Sequence, residues 1–299
     1  MKNSLYVIIP IFNEEENIPK LMTIVNSLVQ EYKYNFIFIN DGSTDRSKEL
    51  LESYVDRNHI YLYSNNRNSG LGFSVRKGIN ISLEKKADLI VKVDADLQHN
   101  LLQIPDFITK ISGSSLDIVY GNRFSGGMKY KMPFIRKYGN IIFTKFVRFL
   151  TKYDVNDSQP GFFCITKEVA SKLTLPGNYN ITQQILIEAS IHQYKFGSLD
   201  IEFNKRTGGE SFINIFYPFK VLSQIMFLYF LLKPLQTFGK IGFLFLGTGL
   251  LIAVYQVIIF FFGTGIKPIT NVNLVSTLIL SGLNFLGLGI IGSMINANK

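Results

Sequence analysis

The sequence predicts an α/β fold built on a mostly parallel sheet, followed by a part that enters a membrane. Three observations carry this. Along residues 1–210, short apolar runs alternate with helical patterns, as in chains of βαβ units. The run Leu89, Ile90, Val91, Val93 ends in Asp94-Ala-Asp96, two carboxylates at the strand end, where an open α/β sheet receives its ligands. Two stretches, 241–262 and 272–295, are free of charge and long enough to cross a hydrocarbon core.

The 299 residues suffice for one large or two ordinary domains. Their 47% hydrophobic content is unevenly placed, because residues 1–210 read as a mixed globular sequence and the remainder is mostly apolar. The formal charge of +9 suits nucleic acid, anionic lipid or phosphorylated substrates, and charge alone does not choose among them. A single cysteine, Cys164, excludes an intramolecular disulfide and a multi-cysteine zinc site, and reads as a small buried apolar residue. Only Lys2 precedes the run Leu5–Ile9, which Pro10 ends too early for a signal-peptide core, so the first domain is expected in the cytosol.

Residues 5–9 read as a buried strand, and Pro10 to Glu14, with Asn13 between them, as a turn into a helix with acidic residues in its first turn. The second strand, 35–39, ends in Asn40-Asp41-Gly42-Ser43-Thr44-Asp45. Gly42 permits a tight turn there, and Ser43, Thr44 or Asp45 can cap the helix through Leu50 and Leu51. Asp41 can accept hydrogen bonds from a base or ribose; the same loop can also be a plain helix cap. A third strand at 60–63 leads to a loop with Gly70 and Gly72 and a helix over 73–85. The G-x-G-x-x-G that a dinucleotide fold needs after its first strand is replaced by Pro10 to Glu16, which argues against NAD. Residues 116–120 give another strand, followed by a Gly-containing loop that carries Arg123.

Over 134–152 the pattern is helical. At about 100° per residue, Lys137, Lys145, Arg148 and Lys152 share one narrow face. Tyr138, Ile142, Phe143, Phe146, Val147, Phe149 and Leu150 fill the other. Such a helix can lie in a membrane interface beside anionic headgroups, or pack on a core with its basic side in water. Arg136 stands off the basic face and is left for another task. A helix over 182–193 carries Glu188, and the cationic, Gly-rich loop 205–211 with Arg206 can fold over a phosphorylated substrate or serve as an exposed linker.

Residues 211–238, interrupted by Pro218, Lys220, Ser223 and Gln224, read as a second interfacial helix, and 239–299 as a transmembrane domain. Lys233 and Lys240 precede its first helix, Lys267 lies in the loop and Lys299 follows the second, which places the loop outside and both ends in the cytosol. Gly249 with Ala253, and Gly289 with Ser293, are small residues at spacing four that let helices pack closely and leave room for a homo-oligomer.

Alternate residues of an extended strand share a side, so Asp94 and Asp96 can face one divalent cation. Hard oxygen ligands beside substrate phosphates suit Mg²⁺ or Mn²⁺. D-x-D also occurs in surface turns, where Asp caps a helix or faces water. His99, just beyond, is expected to be an ordinary polar loop residue.

Together, Pro10-x-x-Asn-Glu14, Asn40-Asp-Gly-Ser-Thr-Asp45, Asp94-Ala-Asp-Leu-Gln98 and Arg206-x-Gly-Gly-Glu-Ser211 resemble the inverting glycosyltransferases of family 2 with the GT-A fold. More narrowly, they resemble the polyisoprenyl-phosphate glycosyltransferases, which include dolichol-phosphate mannose synthases and bactoprenol glucosyltransferases. The resemblance implies that Pro10, Asn13, Glu14 and Asp41, with Asp94, hold the nucleoside. It implies that Asp94, Asp96 and Gln98 surround Mg²⁺ or Mn²⁺, and that Arg123, Arg136 and Arg206 contact phosphates. The implied reaction moves a sugar from a nucleotide-sugar (UDP-glucose or a similar hexose, or GDP-mannose) to a membrane polyprenyl phosphate, with membrane lipids as partners and nucleic acid set aside. A phosphate monoester with a second pKa near about 6 is largely dianionic at neutral pH, so such an acceptor needs no general base. A processive polysaccharide synthase usually carries an Arg-Trp motif, and this chain has no tryptophan. A different lipid or polysaccharide acceptor, or a non-catalytic membrane-tethered nucleotide-binding scaffold, remain as alternatives.

Overall fold

The structure, a computed structural model, describes residues 4–55, 58–124, 134–175, 181–204, 217–263 and 267–297. The chain divides into two compact units, 1–221 and 222–299. Composition places the change of character between 210 and 239, and the division falls inside that interval.

The first unit is built on seven strands: β1 (Leu5–Ile11), β2 (Asn35–Asn40), β3 (Ile60–Ser64), β4 (Leu89–Lys92), β5 (Ile118–Asn122), β6 (Phe163–Thr166) and β7 (Phe196–Asp200). They form one sheet in the order β3-β2-β1-β4-β6-β5-β7. Only β6 runs against its neighbours β4 and β5; the other pairings are parallel. The expected mostly parallel sheet is present. β1 and β4 are buried almost throughout, as strands covered on both faces must be. Val7, Ile9 and Ile11 join one core with Ile18, Leu21 and Val25 of α1 (Ile18–Tyr32) and Ile104, Phe107 and Ile111 of α4 (Ile104–Gly113). The helices between them in the chain are α2 (Ser47–Glu52) and α3 (Leu71–Glu84). α3 lies on β1 and β2, and a Cβ at its Gly78 would come within 2.4 Å of Ile8 Cγ2, so only glycine permits that approach.

Among the described residues this unit also holds the helices α5 (Phe134–Thr151), α6 (Lys167–Lys172) and α7 (Ile181–Ile191). α5 packs against α7. Among its described side chains, Asn140, Phe143, Thr144, Val147 and Thr151 are buried, while Ile141, Ile142, Phe149, Lys145 and Arg148, with Lys152 just beyond the helix, are exposed. The inward stripe is therefore partly polar, and the outward arc mixes bases with large apolar groups. The clean separation of a basic from an apolar face is not found, because Asp157 and Ser158 lie behind the helix and draw Asn140 and Thr144 inward by hydrogen bonds.

The second unit contains α8 (Tyr217–Leu232), whose first turn still belongs to the first, and α9 (Pro234–Phe261) and α10 (Val272–Ala297). α9 starts at Pro234, seven residues before the expected 241, because proline is well placed in the first turn of a helix. The expected single helix over 211–238 is accordingly shorter and ends at the Lys233-Pro234 break. α9 and α10 are long and apolar enough to cross a membrane. At 28 residues α9 is about 42 Å long, more than the roughly 30 Å of a hydrocarbon core. The two helices pack together along a seam of glycines. Cβ atoms at Gly242 and Gly282 would each lie 2.8 Å from the other residue's carbonyl oxygen. Gly249 meets Leu278 and Ile279, and Gly289 meets Leu235 and Phe238, so the two glycines of the expected small-residue pairs sit in this seam. Gln256 Oε1 accepts hydrogen bonds from the Thr270 and Asn271 backbone N–H groups, which satisfies a polar side chain near the end of α9.

Candidate active site

Parallel order brings the carboxyl ends of β3, β2, β1, β4, β5 and β7 to one edge of the sheet, and the antiparallel β6 begins there. The segments 12–17, 41–46, 65–70, 93–99, 157–162 and 201–204 therefore share that edge, where ligands of open α/β sheets bind.

The turns after β1 and β2 are stitched into one floor. The Asn13 backbone N–H donates to Ser43 Oγ at 3.1 Å, and Asn13 Oδ1 accepts from the Thr44 N–H at 2.9 Å. Glu14 N–H donates to Ser47 Oγ, and the Arg46 N–H to Glu15. Asn13 adopts a left-handed φ of 54°, a conformation that Asn tolerates better than most residues. Pro10 lies within β1, in register with Ile39 of β2. Asp41 is buried, and its oxygens accept from Asn65 Nδ2 at 2.8 Å and from the Ser69 and Gly70 N–H groups at 2.9 and 2.8 Å. Its carboxylate thus anchors the 65–70 loop over the Gly42 turn. A Cβ at Gly42, where φ is 70°, would lie 2.5 Å from the Arg67 carbonyl carbon.

At the D-x-D segment the structure departs from strand alternation. β4 stops at Lys92, and a turn with Leu97 at φ 55° follows. The side chains that come together are Lys92 and Asp94: the buried Lys92 ammonium donates to Asp94 Oδ1 and, at 3.1 Å, to the Gly161 carbonyl. Asp94 keeps its side chain 33% exposed. Its partial burial raises the carboxyl, but the Lys92 ammonium, with Arg123 beyond it, outweighs that and holds it below the ordinary carboxylate value. Asp96 Oδ1 accepts from the Gln98 N–H, and Gln98 Nε2 donates to the Asn204 carbonyl, which turns the amide oxygen of Gln98 away from that bond.

His99 is not the polar loop residue expected. It is 3% exposed, its ring packs on Phe162 and Phe203, and its Nδ1 has no hydrogen-bond partner. Burial lowers its pKa to about 3, so it is neutral. Arg123, expected on phosphate, places Nε and Nη2 on the two oxygens of buried Asp157, at 2.6 and 2.9 Å. Asp157 also accepts from Asn140 and the Gln159 N–H. Burial raises the Asp157 carboxyl, and Arg123 reverses this to a net lowering. Arg136 lies in the first turn of α5, and its side chain is outside the described residues, as is the whole of Arg206.

Lys92, Gly161 and Asp157 are the site residues that sequence reasoning misses. A lysine inside an apolar strand, two positions before an aspartate, is a local signal that could have marked the first.

Hard oxygens of Asp96 and Gln98, beside Asp94, fit a Mg²⁺ or Mn²⁺ that completes its shell with phosphate and water. Among the described residues no group of three or more His, Cys, Asp or Glu could hold an ion unaided. Such a donor set suits a metal carried with its substrate better than a closed structural site.

A carboxylate-lined edge, fed by tight turns from adjacent parallel strands, is the place where an open α/β sheet receives its ligand. The family model of glycosyl transferase family 2 matches residues 6–174, and the chain belongs to that family. It is an enzyme that transfers sugar, on a GT-A-type fold. A dolichol-phosphate mannosyltransferase of Pyrococcus furiosus is 32% identical over 69% of this chain, which spans 58% of that relative's length. A UDP-N-acetylglucosamine–dolichyl-phosphate N-acetylglucosaminyltransferase of Methanococcus voltae is 29% identical over 75% of this chain and 95% of its own. A dodecaprenyl-phosphate galacturonate synthase of Rhizobium johnstonii is 25% identical over 97% and 87%. Among solved structures, glucosyl-3-phosphoglycerate synthase from Mycobacterium tuberculosis, with Mn²⁺ and UDP-glucose, shares the fold. Its TM-score is 0.59 at 14% identity, covering 76% of this chain and 79% of that one.

Proposed function

We propose that this protein transfers a hexose from a nucleotide-sugar to a membrane polyprenyl phosphate, with inversion and with a divalent cation. The carrying observation is that the Asp41 turn and the Asp96 turn open on the same edge from β2 and β4, which both flank β1. Relatives named for transfer to dolichyl, dodecaprenyl or undecaprenyl phosphate support the acceptor. Two helices able to cross a membrane support its site of delivery.

In this reading the Pro10–Glu14 turn and the Asp41-anchored 65–70 loop hold the nucleoside. Asp96 and Gln98 hold the cation, with the negative charge of Asp94 beside them. A Mg²⁺ or Mn²⁺ held there would supply Lewis acidity toward the departing diphosphate, worth several kcal/mol in typical sites. Arg123 orders the 157–162 segment through Asp157, and Arg136 and Arg206 place the acceptor phosphate. The dianionic acceptor attacks without a protein base. The catalytic unit lies in the cytosol, and the loop between α9 and α10 faces outward.

Asp96→Asn tests the metal assignment. Transfer should fall about 10²-fold or more, from the several kcal/mol that a Lewis acid supplies, while the folded enzyme still enters the membrane. Near wild-type turnover by the purified variant would defeat it.

A further inference from the structure

Lys92 is 1% exposed, on a strand whose other residues are apolar, and its register partners are Ile8 of β1 and Phe163 of β6. An ammonium in such a place is tolerated only when paired, and a buried ion pair is in general no better for stability than an apolar packing of the same volume. Its presence there calls for a role in geometry. The ammonium has two partners from two segments, the Asp94 carboxylate after β4 and the Gly161 carbonyl before β6. The approach of those segments is tight: a Cβ at Gly161 would lie 1.8 Å from Asp94 Oδ2 and 2.7 Å from His99 Nε2. Asp94 Oδ1 is thus turned to Lys92, and Oδ2 is pressed against Gly161.

We infer that Lys92 is a positioning residue, whose buried ammonium fixes the shape of the 94–98 turn by locking Asp94 to the Gly161 segment. The two aspartates then divide the work. Asp94 is part of the frame, and Asp96, two residues on, presents its carboxylate with Gln98 to the cation. The inference rests on the metal site proposed above.

Charge and geometry make opposite forecasts for this lysine. A lysine that acted only through its charge would repel a cation nearby, so its removal should tighten metal binding. A lysine that shapes the turn should loosen metal binding when removed, by the 10- to 100-fold typical of partners that orient metal ligands. The test is Mn²⁺ titration of the full-length enzyme in detergent, for wild type, Lys92→Met, Asp94→Asn, the Lys92→Met/Asp94→Asn double variant and Asp96→Asn. Lys92→Met should weaken Mn²⁺ binding about ten-fold or more, and the double variant should bind as Asp94→Asn does, because Lys92 acts only through Asp94. Where Lys92→Met fails to fold, the double variant, which removes both charges, carries the comparison alone. Tighter binding by Lys92→Met, or by the double variant relative to Asp94→Asn, overturns the inference and leaves the metal site standing. Asp96→Asn binding Mn²⁺ like wild type, or wild type taking up none, brings down the metal site itself and this inference with it.

Discussion

A methyl group at position 161 would enter the space of the Asp94 carboxylate, since a Cβ there would lie 1.8 Å from Oδ2. Neither backbone strain nor a special turn explains the glycine; the neighbouring carboxylate does. Gly161→Ala should therefore push Asp94 off Lys92 and weaken Mn²⁺ binding about ten-fold or more, in the range found for ligand-orienting partners. Unchanged Mn²⁺ affinity in a calorimetric titration would show that the carboxylate can move aside without consequence. At this scale the sequence is informative about residue types and poor about partners. The Asp94-Ala-Asp96 pair, with Gln98 just beyond, singles out from the sequence the residues proposed to meet a metal. That Arg123 is held by Asp157 and that His99 is buried between Phe162 and Phe203 depend on residues distant in the chain, and the Lys92–Asp94 pair, though local, is completed by the Gly161 carbonyl of another segment. No local pattern encodes such contacts.

Among the elements, β1, β2 and β4 are legible as apolar runs because both of their faces are covered. β7, Phe196-Gly-Ser-Leu-Asp200, is not: it is a half-exposed edge strand with no such run, and its place comes from pairing with β5. The reversed direction of β6 likewise has no signature in its four residues. α5 is legible as a helix, but its faces are not, since a polar stripe turned inward cannot be recognised before Asp157 and Ser158 are known to lie behind it. The outward arc still carries Phe149 at 79% and Ile142 at 65% exposure next to Lys145 and Lys152. Large apolar groups among bases suit a headgroup boundary. In liposomes, Phe149→Asp should raise KM for polyprenyl phosphate about ten-fold, the value of losing one buried aromatic side chain, with donor hydrolysis and thermal stability unchanged. An unaltered KM would return this face to the solvent.

For the whole molecule, the division into a sheet-based unit and an apolar helical unit is legible because bilayer-length runs lack charge over their full length. The glycine seam of α9 and α10 is only half legible: spacing singles out Gly249 and Gly289, whereas the closest approach is at Gly242 and Gly282. In the proposed topology α9 and α10 each cross once, so the Lys267 loop should be reachable from outside the cell. In a Cys164→Ser background, Lys267→Cys should react with an impermeant thiol reagent on intact cells. Labelling only after lysis would reverse the orientation.

The central claim is tested most directly by following sugar transfer from a panel of UDP- and GDP-sugars to polyprenyl phosphate with the purified full-length enzyme, with and without EDTA. The account predicts a lipid-linked sugar phosphate product from one donor, abolished by EDTA and restored by excess Mg²⁺ or Mn²⁺. Transfer that persists at full rate in EDTA, or sugar release that never reaches the lipid phosphate with any donor, would contradict it.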